Sequence, residues 1–436
     1  MDILASIGNF IIFQVLDQAP IFLGIITLVG LLLQKTPASE VFEGVIKTIV
    51  GMLILNAGAD LISNTITPVM QLLNNVVGVN GVMPMNEAAF AVGMSTMSET
   101  VVSIFVLGFI IHLAMVFLMP KKDMKNVYLT AHMMLYLAVF LALSINCILG
   151  LQGMPLIVTC AILAALYWTF TPEIPRALGK KYFGEDFTLG HAAQFGTLIG
   201  ALCGKLFSKH AEDEDAENIK LPGGLYLFQD VTLALSLIMP ILFVIIGLVV
   251  GQGQVETLSG SQNWIVFLIM EGLKFAAGVS IMLSGVRMFL NSIIPAFKGI
   301  SEKLLPGAVA GVDCAALYGF APKSVVLGFL CGAVGQIAGV VILIVTGSPI
   351  VLIPSFIPLF FDGATVGIFA NKFGGWKALV VICFCTGLIQ IFGSALAVAM
   401  LDLTWWQGVS DYATIWVAIS AVLKGIGSLL GIPVSG

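Results

Sequence analysis

Three long runs without one charged side chain constrain this sequence more than any other feature. They lie between Lys125 and Glu173, between Lys323 and Asp362, and between Lys377 and Asp402. A membrane-crossing helix needs about 20 mainly apolar residues, so the first two runs can hold two spans each and the third one. Within a bilayer every backbone polar group must be bonded inside its own segment, which makes such spans helices. Composition agrees: 59% of the 436 residues are hydrophobic and only 10% are charged, against about 25% in soluble proteins. Lipid is therefore the solvent of this chain, and no nucleic-acid partner is expected.

The expected fold is an all-α polytopic membrane protein of about eleven transmembrane helices. They fall near 20–34, 44–66, 100–119, 128–149, 154–170, 229–252, 264–286, 324–345, 350–370, 378–401 and 411–430. The N-terminal apolar stretch Ile3 to Leu16 is too short to cross, and its lack of a basic region argues against a cleavable signal peptide. With the N-terminus outside and the C-terminus inside, every loop Lys and Arg falls on the cytoplasmic side. These include Lys35, Lys121, Lys122, Lys125, Arg176, Lys180, Lys181, Lys205, Arg287, Lys298, Lys303, Lys323, Lys372 and Lys377. The central loop, about 171–222, carries the acidic run Glu212 to Glu217, which reads as a solvated linker. The seven cysteines (Cys147, Cys160, Cys203, Cys314, Cys331, Cys383, Cys385) form no CxxC pair and read as small apolar packing residues.

An internal repeat divides the chain. At an offset of 227, Lys47, Gly51, Ile54, Gly58, Asn64, Ile66 and Pro68 recur as Lys274, Gly278, Ile281, Gly285, Asn291, Ile293 and Pro295. The topology sends the two copies through the membrane in opposite directions, an arrangement typical of alternating-access carriers. The first inverted repeat spans residues 1–222 with the central loop, the second spans 223–405, and a final helix occupies 406–436. The same offset carries Asn86-Glu87 onto Asp313-Cys314.

A membrane-buried charge costs about 2.5–3.5 kcal/mol on insertion scales and asks for a partner or a role. Glu271 and Lys274, three residues apart, are expected to neutralise one another. Asp60 and Glu87 are further such charges, while Glu99 and Asp362, near span ends, read as mainly structural. Asp313 differs, because Pro306 to Pro322 is bracketed by proline and studded with glycine, a poor continuous helix and a plausible re-entrant one. Its counterpart around Asn86 follows Gly78 to Gly81 and Pro84. Paired discontinuous segments point to a carrier's binding site; a carboxylate and an amide there suit a hydroxyl-rich ligand. His112 reads as packed and His210 as solvated, whereas His132 and His191 are candidates to line the substrate path. No metal-binding spacing is present, so neither metal nor cofactor is expected.

Several stretches resemble one family. They are Ala19-Pro-Ile-Phe-Leu-Gly24, Ile46 to Gly51, Thr130-Ala-His-Met-Met134, Gly190-His-Ala-Ala-Gln-Phe195, Leu305 to Val309, Val312-Asp-Cys-Ala-Ala316, Ile357 to Phe361 and Gly367 to Trp376. Together they resemble the ascorbate-type enzyme IIC membrane component of the bacterial phosphoenolpyruvate-dependent sugar phosphotransferase system. The resemblance implies a homodimer whose protomers hold a V-motif scaffold domain and an elevator-type core domain. It places the sugar near Asn86, Glu87, His132, Met133, Met134, Leu135, Tyr136, His191, Ala192 and Asp313. It further implies uptake of L-ascorbate or a related sugar or polyol in the inner membrane. Partners would be a phosphorylated enzyme IIB, with enzyme IIA and the general phosphocarriers, and membrane lipid. No phosphorylated catalytic residue is expected in this chain. The competing reading is an ion-coupled secondary transporter of a small polar solute.

Overall fold

A computed structural model describes residues 18–77, 86–121, 124–210, 214–219, 231–352, 356–401, 403 and 405–429. In chain order its elements are α1 (Ala19–Leu33), α2 (Ala38–Val77), α3 (Asn86–Leu118), β1 (Asn126–Tyr128), α4 (Ala131–Leu149), α5 (Gly153–Phe170), α6 (Glu173–Phe183), β2 (Phe187–Leu189), α7 (Gln194–Gly204), α8 (Val231–Val250), α9 (Gln252–Ser259), α10 (Trp264–Lys303), β3 (Val309–Val312), α11 (Pro322–Val345), α12 (Phe356–Leu401), α13 (Ser410–Ala413) and α14 (Ile415–Leu429). Among the described residues, eight helices are long and apolar enough to cross a membrane. A ninth joins them if α8 and α9, bent by 120°, make one broken span.

Helix α1 has the 15 residues expected of the first span. Several other expected spans take a different form. The spans expected at 350–370 and 378–401 form one helical stretch, α12, interrupted at Gly375, whose φ of 77° takes it out of helical geometry. Helices α2 and α10 have 40 residues each, about 60 Å of helix, or twice the hydrocarbon thickness. The stretch Gly78 to Pro84 lies outside the described residues.

Close backbone packing holds the bundle together, as expected where lipid supplies no hydrophobic drive between helices. Helices α2 and α10 cross through four glycines. A Cβ on Gly51 would meet the Gly285 carbonyl oxygen at 3.1 Å, and one on Gly58 would meet that of Gly278 at 2.6 Å. The residues rising along α2 meet residues falling along α10, so the pair is antiparallel. Since Gly51 and Gly58 correspond to Gly278 and Gly285 at the offset of 227, the contact maps onto itself when the two segments are exchanged. A second such seam joins α11 to α12, where a Cβ on Gly328 would lie 2.3 Å from the Gly363 carbonyl oxygen.

Three expectations are corrected. The fold is not all-α: β1, β3 and β2 form a parallel three-stranded sheet in that order. Nor is the region after Thr171 only a loop, for α6, β2 and α7 occupy much of its first part, up to Gly204. The acidic run is not a free linker either, since its described part, Glu214 to Glu217, is strapped to α11 and α12. Asp215 pairs with Lys372 at 2.7 Å, and Glu214 pairs with Lys377 at 2.6 Å. The Glu217 carboxylate accepts the N–H groups of Lys323 and Ser324 at 3.1 and 2.8 Å. The physical reason is local: α11 begins at Pro322 and α12 breaks at Gly375, and both leave N–H groups free. Trp376 donates one of these to the Glu214 carbonyl at 2.9 Å. Anions satisfy such helix starts best.

Candidate functional site

The strands are only three or four residues long, yet they set the site. In the register, Asn126, Val127 and Tyr128 face Val309, Ala310 and Gly311, while Phe187, Thr188 and Leu189 face Ala310, Gly311 and Val312. Because the strands are parallel, their carboxyl ends emerge on one edge. Extra rungs extend the ladder there, from Leu129 N–H to the Gly311 carbonyl at 2.9 Å and from Gly190 N–H to the Val312 carbonyl at 2.7 Å. Position 190 requires glycine, since a Cβ would sit 2.6 Å from the Gly311 carbonyl oxygen. Crevices at the carboxyl ends of parallel strands are common ligand sites.

Three chemically active side chains leave this edge. The Asp313 Oδ2 lies 3.3 Å from His132 Nε2. Its Oδ1 accepts from the Ala315 N–H at 3.3 Å and from the Cys314 thiol at 3.2 Å, capping the 3-10 turn Cys314–Phe320. The segment from Leu304 to Pro322 thus holds a strand and a 3-10 turn in place of an α-helix. His191 is buried, and donor atoms of His191, Asp313 and Cys314 lie within 4.8 Å of one another. The site opens on the His132 side, whose side chain is 34% exposed against 11% for Asp313.

The hydrogen-bond inventory of this edge is incomplete. His191 Nδ1 and Thr130 Oγ1 are buried and find no partner among the described residues. Buried polar atoms are normally satisfied by protein or water, so two open valences beside the Asp313 carboxylate make this edge a candidate place for a polar ligand.

The other expected site residues divide. The Tyr136 ring stands edge-on to His132, centroids 6.0 Å apart. Met133, Met134, Leu135 and Ala192 are buried in an apolar cluster, and their side chains offer no hydrogen-bonding group. Asn86 and Glu87 open α3, while their side chains lie outside the described residues. His112 is packed: it accepts the Tyr128 N–H at 3.1 Å and contacts Thr169 Oγ1 at 2.8 Å, fastening β1 to α3 and α5. Glu271 and Lys274 do pair, at 2.7 Å.

Sequence reasoning missed Asp411. It is fully buried and accepts the N–H groups of Gln194, Phe195 and Gly196 at 3.0, 2.8 and 3.3 Å, together with the Tyr167 hydroxyl. It therefore caps α7 and fixes the turn that carries His191. Its own N–H reaches the Ala192 carbonyl at 3.3 Å. Next to it, Ser410 donates to Asp362 at 2.8 Å, and Asp362 also accepts from Gln390 at 2.7 Å. A lone Asp ahead of an apolar helix was the available signal, and it reads as an ordinary helix start.

Eight helices apolar enough to cross a membrane, with a short three-stranded sheet between them, mark a polytopic membrane protein. Residues 14–418 match the family described as PTS system sugar-specific permease component. The chain belongs to this family of phosphotransferase-system enzyme IIC proteins. It is also similar to the Ascorbate-specific PTS system EIIC component of Mycoplasma pneumoniae, with 30% identity over 86% of this chain and 64% of that protein's length.

Proposed function

We propose that this chain takes up L-ascorbate or a related sugar acid or polyol, coupled to phosphorylation by a separate enzyme IIB. The observation that carries this reading is the strand edge at His132, His191 and Asp313, with open hydrogen-bonding capacity in an otherwise apolar bundle. Asp313 would accept from sugar hydroxyls while His132, His191 and Thr130 donate or accept according to tautomer and rotamer. The relative from Mycoplasma pneumoniae, named for ascorbate, supports the substrate class.

In this reading eleven spans form two inverted repeats, split into V-motif and core domains, in a homodimer in the inner membrane. The exchange-symmetric glycine contact between α2 and α10 supports the repeat. The core carries the bound sugar across by an elevator motion. Enzyme IIB, charged through enzyme IIA and the general phosphocarriers, then phosphorylates it on the cytoplasmic side. The added charge weakens rebinding and commits the product inward. Inside-out and right-side-out vesicles containing the protein, supplied with phosphoenolpyruvate and the soluble phosphocarriers and with ion gradients collapsed, test the coupling. Accumulation of phosphorylated sugar is expected. Uptake that follows an ion gradient and ignores phosphoenolpyruvate would overturn it in favour of secondary transport.

A further inference from the structure

A cleft of about 530 Å³ opens at one end of the bundle, lined by Leu33, Gln34, Lys35, Lys298, Glu302 and Lys303. None of these belongs to the strand-edge site. Helix α2 runs antiparallel to α1, since Gly24 packs on Ile49 and Gly44 on Leu31, and antiparallel to α10 through the four glycines. Helices α1 and α10 are therefore parallel, and both end at this cleft.

The local chain is built to present charge here. Lys35 N–H bonds to the Leu32 carbonyl at 3.0 Å and Thr36 N–H to the Leu31 carbonyl at 3.1 Å. This is a helix-ending motif whose left-handed position is usually glycine; here Lys35 fills it with φ 58°. The Gln34 side chain donates to the Pro295 carbonyl at 2.6 Å and fixes one wall to the other. Lys35, Lys298 and Lys303 form no ion pair among the described residues, and with the one carboxylate, Glu302, the lining carries a formal charge of +2 (three minus one). Attraction of lysine to helix C-termini accounts for Lys35 and Lys303 at the ends of α1 and α10, but not for Lys298, more than a turn before the end of α10. The elements that meet here also expose apolar side chains, Leu32, Phe42 and Leu304 by 57%, 70% and 49%, with Glu40 and Glu43 exposed on the first turns of α2.

We propose that this cleft holds the phosphate headgroup of an anionic membrane lipid, with its acyl chains along the apolar faces of α1 and α2. Cationic pockets between membrane helices on the cytoplasmic side recognise such headgroups, and the exposed apolar side chains distinguish a lipid from a soluble anion.

The test uses the full chain, purified and delipidated in a neutral detergent. Binding of phosphatidylglycerol or cardiolipin is compared with phosphatidylcholine by native mass spectrometry, with thermal stability followed in parallel. Anionic lipid should be retained and raise Tm while phosphatidylcholine does neither. Each Lys→Gln change at 35, 298 or 303 should weaken retention about fivefold, and the triple variant about a hundredfold. Glu302→Gln should tighten it, a gain that no folding defect can imitate. Equal retention of both lipid classes, no effect of the triple variant in a folded protein, or weaker retention by Glu302→Gln would overturn the proposal. Equal stabilisation by inorganic phosphate would also overturn it, and would mark a soluble-anion site.

Discussion

Two buried aspartates, Asp411 and Asp313, share a chemistry and differ in everything that surrounds them. Asp411 receives three backbone N–H groups and a tyrosine hydroxyl. Asp313 holds its neighbours at 3.2 to 3.3 Å and stands beside two polar atoms with no partner among the described residues. A saturated carboxylate has no valence left for a ligand and works as a structural clamp. One with fewer and longer contacts, beside the part-exposed His132, is the candidate to exchange its partners for a solute. Burial alone does not separate structure from function; the hydrogen-bond inventory does.

The comparison can be broken most forcefully at Asp411. Asp411→Ala leaves three helix-start N–H groups without an acceptor, and a loss of about 3 kcal/mol or more is expected, since each buried donor left unsatisfied costs about 1–3 kcal/mol. Thermal unfolding in detergent measures it; a Tm close to wild type would show that α7 does not depend on this cap. Next in size, His191→Phe should weaken sugar binding about tenfold to a hundredfold by removing hydrogen bonds from a desolvated site. Its effect on Tm should be small, because His191 Nδ1 has no partner to lose among the described residues. A collapse in stability with unchanged affinity would move His191 into the structural class. Ser410→Ala removes one hydrogen bond to Asp362 and should cost about 0.5–1.5 kcal/mol, checked by the same unfolding assay.

The smallest effect belongs to a third carboxylate, Asp215. Burial pushes its carboxyl up, but hydrogen bonds from Lys372, the Glu217 N–H and Asn371 outweigh burial and hold it below the usual carboxylate range. Since folding lowers this pKa, the contribution is complete above the ordinary carboxylate range and fades as pH falls through the lowered value. Asp215→Asn should therefore cost about 1 kcal/mol or less near neutrality, as for a partly exposed ion pair. The difference from wild type should vanish in strong acid. A difference that grows on acidification would contradict the assignment.

What could be read from the sequence follows the same division. The charge-free runs show where helices must lie, and Pro306 to Pro322 shows where one cannot, because composition and backbone preference act locally. Asp313 stands out for that reason. The sheet does not, since a strand such as Asn126–Tyr128 is too short for any alternation to register and its partner, Val309–Gly311, lies more than 180 residues away. Asp411 was equally hidden, because the N–H groups it satisfies are over 200 residues earlier. The strap at Glu214 to Glu217 looked like solvated acid because its lysine partners, Lys323, Lys372 and Lys377, are far along the chain.

The most direct test is equilibrium binding of labelled L-ascorbate and a panel of polyols to the purified full chain and its Asp313→Asn variant, with Tm recorded for both. The expected result is binding of one of these ligands to wild type, at least tenfold weaker in the variant, at closely matched Tm. Equal affinities in two equally stable proteins would contradict the assignment of the strand edge as the sugar site.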